Sequence, residues 1–352
     1  VSVTTANDAI TFNHSIDGGQ TLTLSSGSAA ITFTGALGAS TSLGGLTVNS
    51  AGAGNITFSS TIGDAENAGV VGTTAIGNAA TNDLNFNSTI YSFNGATTIT
   101  AKSGDTIDLG AGAATQFLTS NDNITFATGN IELANGSNLT VDTGAEGGNI
   151  TIGEIDGASQ ETVTLDAGTG TTSVGVIGSG TEIGVLTIGS SDNGGITLNG
   201  AITTDGAVTI DGPVTLATGA VSVTTANDAI TFNHSIDGTQ SLTLESGSAA
   251  ITLDGAIGAD AILTGLSVNA TGGSTGTIQI TDIGDDAGVG VNTGTVSIGN
   301  VNTATLTLDG TIYKTDVAQT YTAATGQNLG ITGAATFTTT NDAVTFATSA
   351  VY

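Results

Sequence analysis

The sequence predicts an all-β chain wound as a parallel solenoid, and three observations predict it. Short apolar–Thr–apolar triplets, or close variants, recur from one end of the chain to the other. Gly, Asn and Asp punctuate them every few residues. A long segment also comes back almost unchanged: residues 1–39 return at 221–259 with six differences, at 19/239, 21/241, 25/245, 33/253, 34/254 and 37/257. Self-similarity at a fixed period marks an array whose units bury their cores against neighbours.

The triplets come in order. Val1–Val3, Ile10–Phe12, Leu22–Leu24, Ile31–Phe33, Leu46–Val48 and Ile56–Phe58 open the chain. Leu84–Phe86, Ile124–Phe126, Leu139–Val141, Ile150–Ile152, Val163–Leu165, Leu186–Ile188 and Ile196–Leu198 follow. Val208–Ile210, Val214–Leu216, Ile230–Phe232, Leu306–Leu308 and Val344–Phe346 complete the series. Alternation puts both apolar side chains on one face and the central residue on the other, so each triplet is a short strand with one buried face. Gly, Asn and Asp supply the tight turns between them. Glu, Gln, Arg and Met are scarce or absent and apolar residues do not recur at a helical period, so no segment reads as a helix.

Spacing turns the strands into an architecture. Starts at 1, 22 and 46 form one series and starts at 10, 31 and 56 a second, each advancing by 21 to 25 residues. Stacked coils would pile Val1, Leu22 and Leu46 into one ladder, Ile10, Ile31 and Ile56 into another, and Phe12, Phe33 and Phe58 into a column of rings. With 20–25 residues per coil and about 4.8 Å between coils, the expectation is about 16 coils, ten per 220-residue block, in a rod about 75 Å long. Right-handed winding follows from the handedness of parallel crossovers. One continuous solenoid over 1–352 is expected, with a first block at 1–220 and a partial second at 221–352. A β-sandwich is the competing fold, but sandwich domains run to about 100 residues, and here the motif does not pause at a domain boundary.

Composition excludes several functions. Thirty acidic residues against Lys102 and Lys314 give a net charge of −28, which repels nucleic acid and anionic membranes. No apolar run approaches the length of a membrane span. Cysteine is absent, which removes disulfides and thiolate metal sites. Val1 opens in full strand pattern and Ala350-Val351-Tyr352 is still apolar. The expectation is therefore flanking repeats of the same kind, or subunits stacking end to end through open strand edges.

Triplets, Gly/Asn-rich turns, acidity and absent cysteine together resemble the β-helical repeat regions of large bacterial exoproteins, filamentous haemagglutinin-like adhesins and autotransporter passengers. The resemblance implies an extracellular, cell-surface stalk or fibre that holds an adhesive tip for a host or surface ligand. The alternatives are a surface-layer or sheath subunit assembled with divalent cations, and a β-helical carbohydrate-active enzyme.

Few residues suggest chemistry. Asn7-Asp8, Asn121-Asp122, Asn227-Asp228 and Asn341-Asp342 each precede a strand, where Asn in the left-handed region and Asp capping amides would make a turn. The acids Asp64 and Glu66, and Asp285 and Asp286, follow matched Ile-Gly steps and are the candidate Ca²⁺ ligands, since hard cations take clustered carboxylate oxygens. No cofactor is required. His14 and His234 are one position seen twice, with no second His or Cys to complete a metal or catalytic set. No G-x-S-x-G elbow is present. A sugar-cleaving site needs paired acids in an aromatic-lined cleft, whereas Trp is absent and most rings sit at core-facing positions. Outward Thr columns are interrupted by Asn, Asp, Glu and Gly, against an ice-binding array.

Overall fold

A computed structural model describes residues 1–352 except 50, 65, 159, 191–193 and 348–352. The terminal triplet Ala350-Val351-Tyr352 thus lies outside the described residues. Every regular element among the described residues is a β-strand, and each predicted triplet lies in or overlaps one. The strand ladders are parallel, as a solenoid requires and a meander or hairpin sandwich forbids.

Contact density divides the chain into two compact units. The first is built chiefly from Val1–Val174 and Gly178–Ile183, the second chiefly from Gly195–Tyr352 with Gly184–Ser191 and Gly175–Ile177. Their boundary therefore precedes the sequence-block boundary at 220/221.

In the first unit each coil contributes to three walls. One runs Ser2–Thr4, Thr21–Ser25, Gly45–Val48, Thr74–Gly77, Thr97–Thr100, Ile124–Thr128 and Ile150–Asp156. A second runs Ile10–Phe12, Ile31–Phe33, Ile56–Phe58, Leu84–Phe86, Thr106–Leu109 and Asn130–Leu133, then the far half of Ile150–Asp156. The third begins as single bridges linking Ile16, Leu37, Ile62 and Tyr91, and widens into Ile90–Phe93, Thr115–Thr119, Leu139–Asp142 and Val163–Asp166. The predicted ladders of Ile10, Ile31 and Ile56 and of Phe12, Phe33 and Phe58 are both present, in register.

The second unit repeats the plan. Ile202–Thr204, Val221–Thr225, Ser241–Glu245, Gly265–Val268, Val296–Ile298, Gln319–Thr322 and Val344–Ala347 form one wall. Leu186–Gly189, Val208–Asp211, Ile230–Phe232, Ile251–Leu253, Ile278–Ile280, Thr305–Leu308 and Asn328–Ile331 form another. Gly195–Leu198, Val214–Leu216 and Ile236–Gly238 begin the third, which continues through Ile257 and Ile283 to Ile312–Thr315 and Thr336–Thr339.

These strands do not exhaust the stack: Thr171–Ile177 adds a further one, whose Ile177 pairs with Ile202. Many coils have the predicted length, with 21 residues between the register partners Val3 and Leu24, but some are longer, with 28 between Val48 and Ile76 and 30 between Val268 and Ile298. The extra residues go into the turns that carry the acidic clusters and the Gly-rich segment near 272.

Packing follows the alternation. Ile31, Ile56, Leu84 and Ile107 are fully buried, and so are Val208, Ile230, Ile251 and Ile278. Each such side chain contributes roughly 1.5–3 kcal/mol of burial. Phe12, Phe33, Phe58 and Phe86 stack with ring centroids 5.6, 4.8 and 5.2 Å apart, which ties ring spacing to coil spacing. The third-wall turn demands glycine twice over. Gly38 and Gly258 have φ of 65° and 70°, and a Cβ there would meet the carbonyl oxygens of Gly69 and Gly290 at 2.0 and 2.2 Å. A side chain would be strained by both conformation and space.

Buried asparagines close one corner in both units. Asn49 and Asn269 sit at positive φ with no exposed surface. The side-chain oxygen of each accepts from the backbone N–H of Ser26 or Ser246 in the preceding coil, at 3.3 and 2.8 Å. In the next coil Asn78 and Asn300 donate to the backbone carbonyls of Asn49 and Asn269, at 2.6 and 2.7 Å. Turn polar groups are thus satisfied from coil to coil.

Candidate functional site

The two acidic clusters are turns whose leading carboxylate serves its own backbone. Asp64 Oδ1 accepts the N–H groups of Glu66 at 2.9 Å and Asn67 at 2.6 Å, and the Asp64 N–H donates to the Asn67 carbonyl. Those amides hold the exposed Asp64 carboxyl below the usual carboxylate range. Asp285 repeats the geometry, accepting from Ala287 and Gly288. Glu66 is exposed, and the Asp286 backbone carbonyl accepts from Lys314 Nζ at 3.0 Å. Sequence matching of these sites is therefore reproduced as matched turn geometry. Among the described residues, no three His, Cys, Asp or Glu side chains meet in an arrangement that could hold a metal ion.

The Asn-Asp pairs are turns of a kind that differs from expectation. The hydroxyl three residues before each Asp donates to that Asp's backbone carbonyl: Thr5 to Asp8, Thr119 to Asp122, Thr225 to Asp228, Thr339 to Asp342. Of the four asparagines, those described include only Asn121 in the left-handed region, with φ 70°. Asn7 and Asn227 instead accept from the N–H and hydroxyl of Ser28 and Ser248 in the next coil. The signal was a Thr-x-Asn-Asp tetrad, of which only the pair had been read.

His14 and His234 are both exposed. His234 Nε2 lies 3.3 Å from Asp211 Oδ1 in the coil before it.

One grouping was missed. Register places Asp108, Glu132 and Asp156 opposite one another on successive coils of the first unit's second wall, with Asp108 half-buried, Glu132 exposed and Asp156 buried. Burial raises Asp108, with Asp83 adding repulsion. Burial also raises Glu132, followed by the charges of Asp108, Asp156 and Asp83. Asp156 is better served: its oxygens accept from Asn130 Nδ2 at 2.7 Å and from the Gly180 N–H at 2.8 Å. Beside the column an open groove of about 460 Å³ is lined by Thr106, Thr128, Asn130, Glu132 and Glu154, with no aromatic side chain in its wall. The sequence does carry the signal: Ile107-Asp108, Ile131-Glu132 and Ile155-Asp156 recur at even steps, but with an acid rather than Thr beside the apolar residue.

The aromatic side chains lie elsewhere. Tyr91, Tyr313 and Tyr321 are fully buried with Phe33, Phe58, Phe86, Phe93 and Phe117. Burial pushes all three tyrosine hydroxyls upward, and each is hydrogen-bonded, Tyr321 to the wholly buried Gln319 at 2.9 Å. These groups stabilise the core and are out of reach of a surface ligand.

The structure thus defines a β-solenoid of stacked parallel coils, of the kind found in β-helical repeat regions. Neither a family model, nor a curated protein, nor a solved structure matches the chain.

Proposed function

We propose that this chain is a structural, non-catalytic segment of an extracellular filament or adhesin stalk at the cell surface, lengthened by adding coil to coil. The observation that supports this best is the re-use of one sequence as a stacking element. Residues 221–238 are paired on both sides, with Ile202–Thr204, Val208–Asp211 and Val214–Leu216 before them and Ser241–Glu245, Ile251–Leu253 and Ile257 after them. A segment that enters the stack through the same three strands wherever it occurs is suited to extension by duplication, which serves reach. The net charge of −28 favours repulsion between neighbouring copies. The acid-bordered groove lacks the rings that a sugar-cleaving cleft uses. The likeness to filamentous haemagglutinin-like adhesins and autotransporter passengers supports the same reading. Self-association or flanking repeats would supply its partners.

Electron microscopy of cell-surface material carrying the chain tests the reading. Threads are the expected result. An ordered sheet that dissolves in EGTA would replace it with a surface-layer role bridged by divalent cations, and dispersed single particles would end it.

A further inference from the structure

Asn-Gly steps stand in the sequence at 94–95, 135–136, 193–194 and 199–200. Such a step holds its own reagents. The glycine backbone nitrogen can attack the asparagine side-chain carbon, Cγ, in an intramolecular ring closure, and glycine brings no side chain to shield that nitrogen. Closure requires a side chain free to turn and an N–H free to lose its proton. Asn193 lies outside the described residues. The other three steps meet these conditions differently.

At 199–200 the side chain is held: Asn199 is half-buried and its Oδ1 accepts the Thr218 hydroxyl at 3.1 Å. At 135–136 the nitrogen is held. The Gly136 N–H donates at 3.0 Å to Oε1 of Glu161, a side chain buried in the next coil, and a negative charge there opposes loss of the proton. At 94–95 neither group is engaged. Asn94 is exposed, and neither its side chain nor the Gly95 N–H makes a hydrogen bond with another described residue. Only the Asn94 backbone N–H is tied, to the Val70 carbonyl at 2.7 Å.

The matched turn of the second unit already carries the residue that this reaction makes. Thr89-Ile90-Tyr91 answers Thr311-Ile312-Tyr313, so Asp316-Val317 stands where Asn94-Gly95 does. The Asp316 N–H donates to the Val291 carbonyl at 2.9 Å, as Asn94 does to Val70. Register sets Phe93 opposite Thr119 and Thr315 opposite Thr339. The Asp316 carboxylate accepts the hydroxyl of Thr340, one residue further along the next coil. In the first unit Ser120 offers a hydroxyl at that place. This corner of the fold therefore has a seat for a carboxylate.

We infer that Asn94 is a self-modification site, converted in the folded chain to a mixture of aspartate and isoaspartate. The Gly95 nitrogen bonds to Asn94 Cγ as its proton passes to solvent. The Cγ–Nδ2 bond breaks, and the side-chain amide leaves as ammonia. Water then opens the cyclic imide at either carbonyl, giving aspartate or isoaspartate with no change of oxidation state. The aspartate product accepts from Ser120 as Asp316 accepts from Thr340.

The test uses the full 352-residue chain, held folded in neutral buffer and sampled over time. Each sample is digested with pepsin at acid pH, where ring closure stops, and its peptides are weighed by mass spectrometry. The expected result is exchange of NH2 for OH at Asn94 about tenfold faster than at Asn135, the weight of one hydrogen bond to a charged group. Asn94 should also outpace Asn199, yield both isomers, and convert faster as pH rises, because attack needs the Gly95 nitrogen without its proton. Asn94→Gln, which would have to close a larger ring, should abolish conversion at that position and leave the circular dichroism spectrum unchanged. Glu161→Gln keeps an acceptor on Gly136 but removes the charge; it should quicken Asn135 and leave Asn94 as it was. Equal rates at the three steps, conversion of Asn135 or Asn199 ahead of Asn94, or conversion of Asn94 only in urea-unfolded chain each overturn the inference. Aspartate without isoaspartate overturns the ring route, since direct hydrolysis of the side chain gives aspartate alone.

Discussion

Residues 1–39 and 221–259 carry nearly one sequence, yet their opening coils are packed differently. Ile10-Thr11-Phe12 runs buried, exposed, half-buried, whereas Ile230-Thr231-Phe232 runs buried, half-buried, buried. Ser2–Thr4 is mostly exposed, while Val221–Thr225 alternates buried and half-buried. The residues are the same and the neighbours are not. An apolar–Thr–apolar strand therefore does not contain its own core; a coil obtains burial from the coils on either side. The second coils of the two copies, flanked on both sides, converge: Leu24 and Leu244 are both fully buried, as are Ile31 and Ile251. What still differs there comes from substitutions. Phe33 stacks between Phe12 and Phe58, whereas Leu253 lies between Phe232 and Ile280. Glu245, in place of Ser25, accepts from the hydroxyls of Thr271 and Ser274 in the next coil, at 3.0 and 2.8 Å.

The sharpest way to break the comparison is to place one charge at both copies of a position. Val223→Asp buries a carboxylate between two coils and should cost about 4 kcal/mol or more. Val3→Asp, on a coil packed from one side, should cost under about 1 kcal/mol. Urea unfolding followed by circular dichroism, with amide exchange to locate the loss, measures both. Equal losses would mean that burial is set within the coil, and the argument from neighbours would fail.

The Asn corner should behave in the opposite way, because it is enclosed in both units. Asn49→Ala and Asn269→Ala each strand the N–H of a buried Ser and place Ala at positive φ, so each should cost about 2–3 kcal/mol. Replacement by Gly at the same positions should recover about 1 kcal/mol, which separates backbone strain from the lost hydrogen bonds. A large difference between the two alanine variants would show that the corners are not equivalent.

How much of this could be read beforehand depends on whether the signal is local. Ile10-Thr11-Phe12 announces a strand because alternation and β-branching occupy three adjacent residues, and the ladders through Ile31 and Ile56 follow from near-constant spacing. The third wall was legible only in part: Leu139–Val141, Val163–Leu165, Ile196–Leu198 and Val214–Leu216 announce it, but its first coils do not. Ile16, Leu37 and Ile62 pair through single bridges, so no triplet marks them; the trace they leave is an apolar residue six positions after Ile10, Ile31 and Ile56. Asn49 and Asn269 look like ordinary turn residues, since nothing adjacent says that their amides reach another coil. The carboxylate column was legible too: Ile107-Asp108, Ile131-Glu132 and Ile155-Asp156 recur at an even step, which a search for apolar–Thr–apolar triplets passes over because the residue after Ile is acidic.

Exchanging one core substitution sharpens the comparison of the second coils. Phe33→Leu removes the middle ring of a stack and should cost about 1–2 kcal/mol, mostly from volume lost beneath Phe58. Leu253→Phe adds a ring between Phe232 and Ile280 in a core already filled, and overpacking should cost about 1–3 kcal/mol. Thermal unfolding of the two variants checks this. A stabilised Leu253→Phe chain would show that the second unit can accept the first unit's aromatic column, and that the difference between copies is incidental to packing.

The smallest expected effect contrasts outward columns. In the first unit Asp108, Glu132 and Asp156 face one another; in the second, Ser222, Thr243, Ser267, Ser297, Thr320 and Thr345 form an uncharged hydroxyl column. Burial raises both Asp108 and Glu132 in the folded chain, with Asp83 adding repulsion at Asp108, and Asp108, Asp156 and Asp83 adding it at Glu132. Between the ordinary carboxylate range and those raised values, the folded state binds more protons than the unfolded one. Stability therefore falls as pH rises through that window, and the penalty is complete above it. Glu132→Gln removes the charge at the centre of the column and keeps its shape. It should be modestly more stable than the parent at neutral pH and indistinguishable from it near about pH 3, where both carboxylates are protonated in either state. Thr243→Gln, in the neutral column, should show no such pH dependence. An advantage of Glu132→Gln that persists unchanged at low pH would assign the gain to packing and remove the electrostatic distinction between the two units.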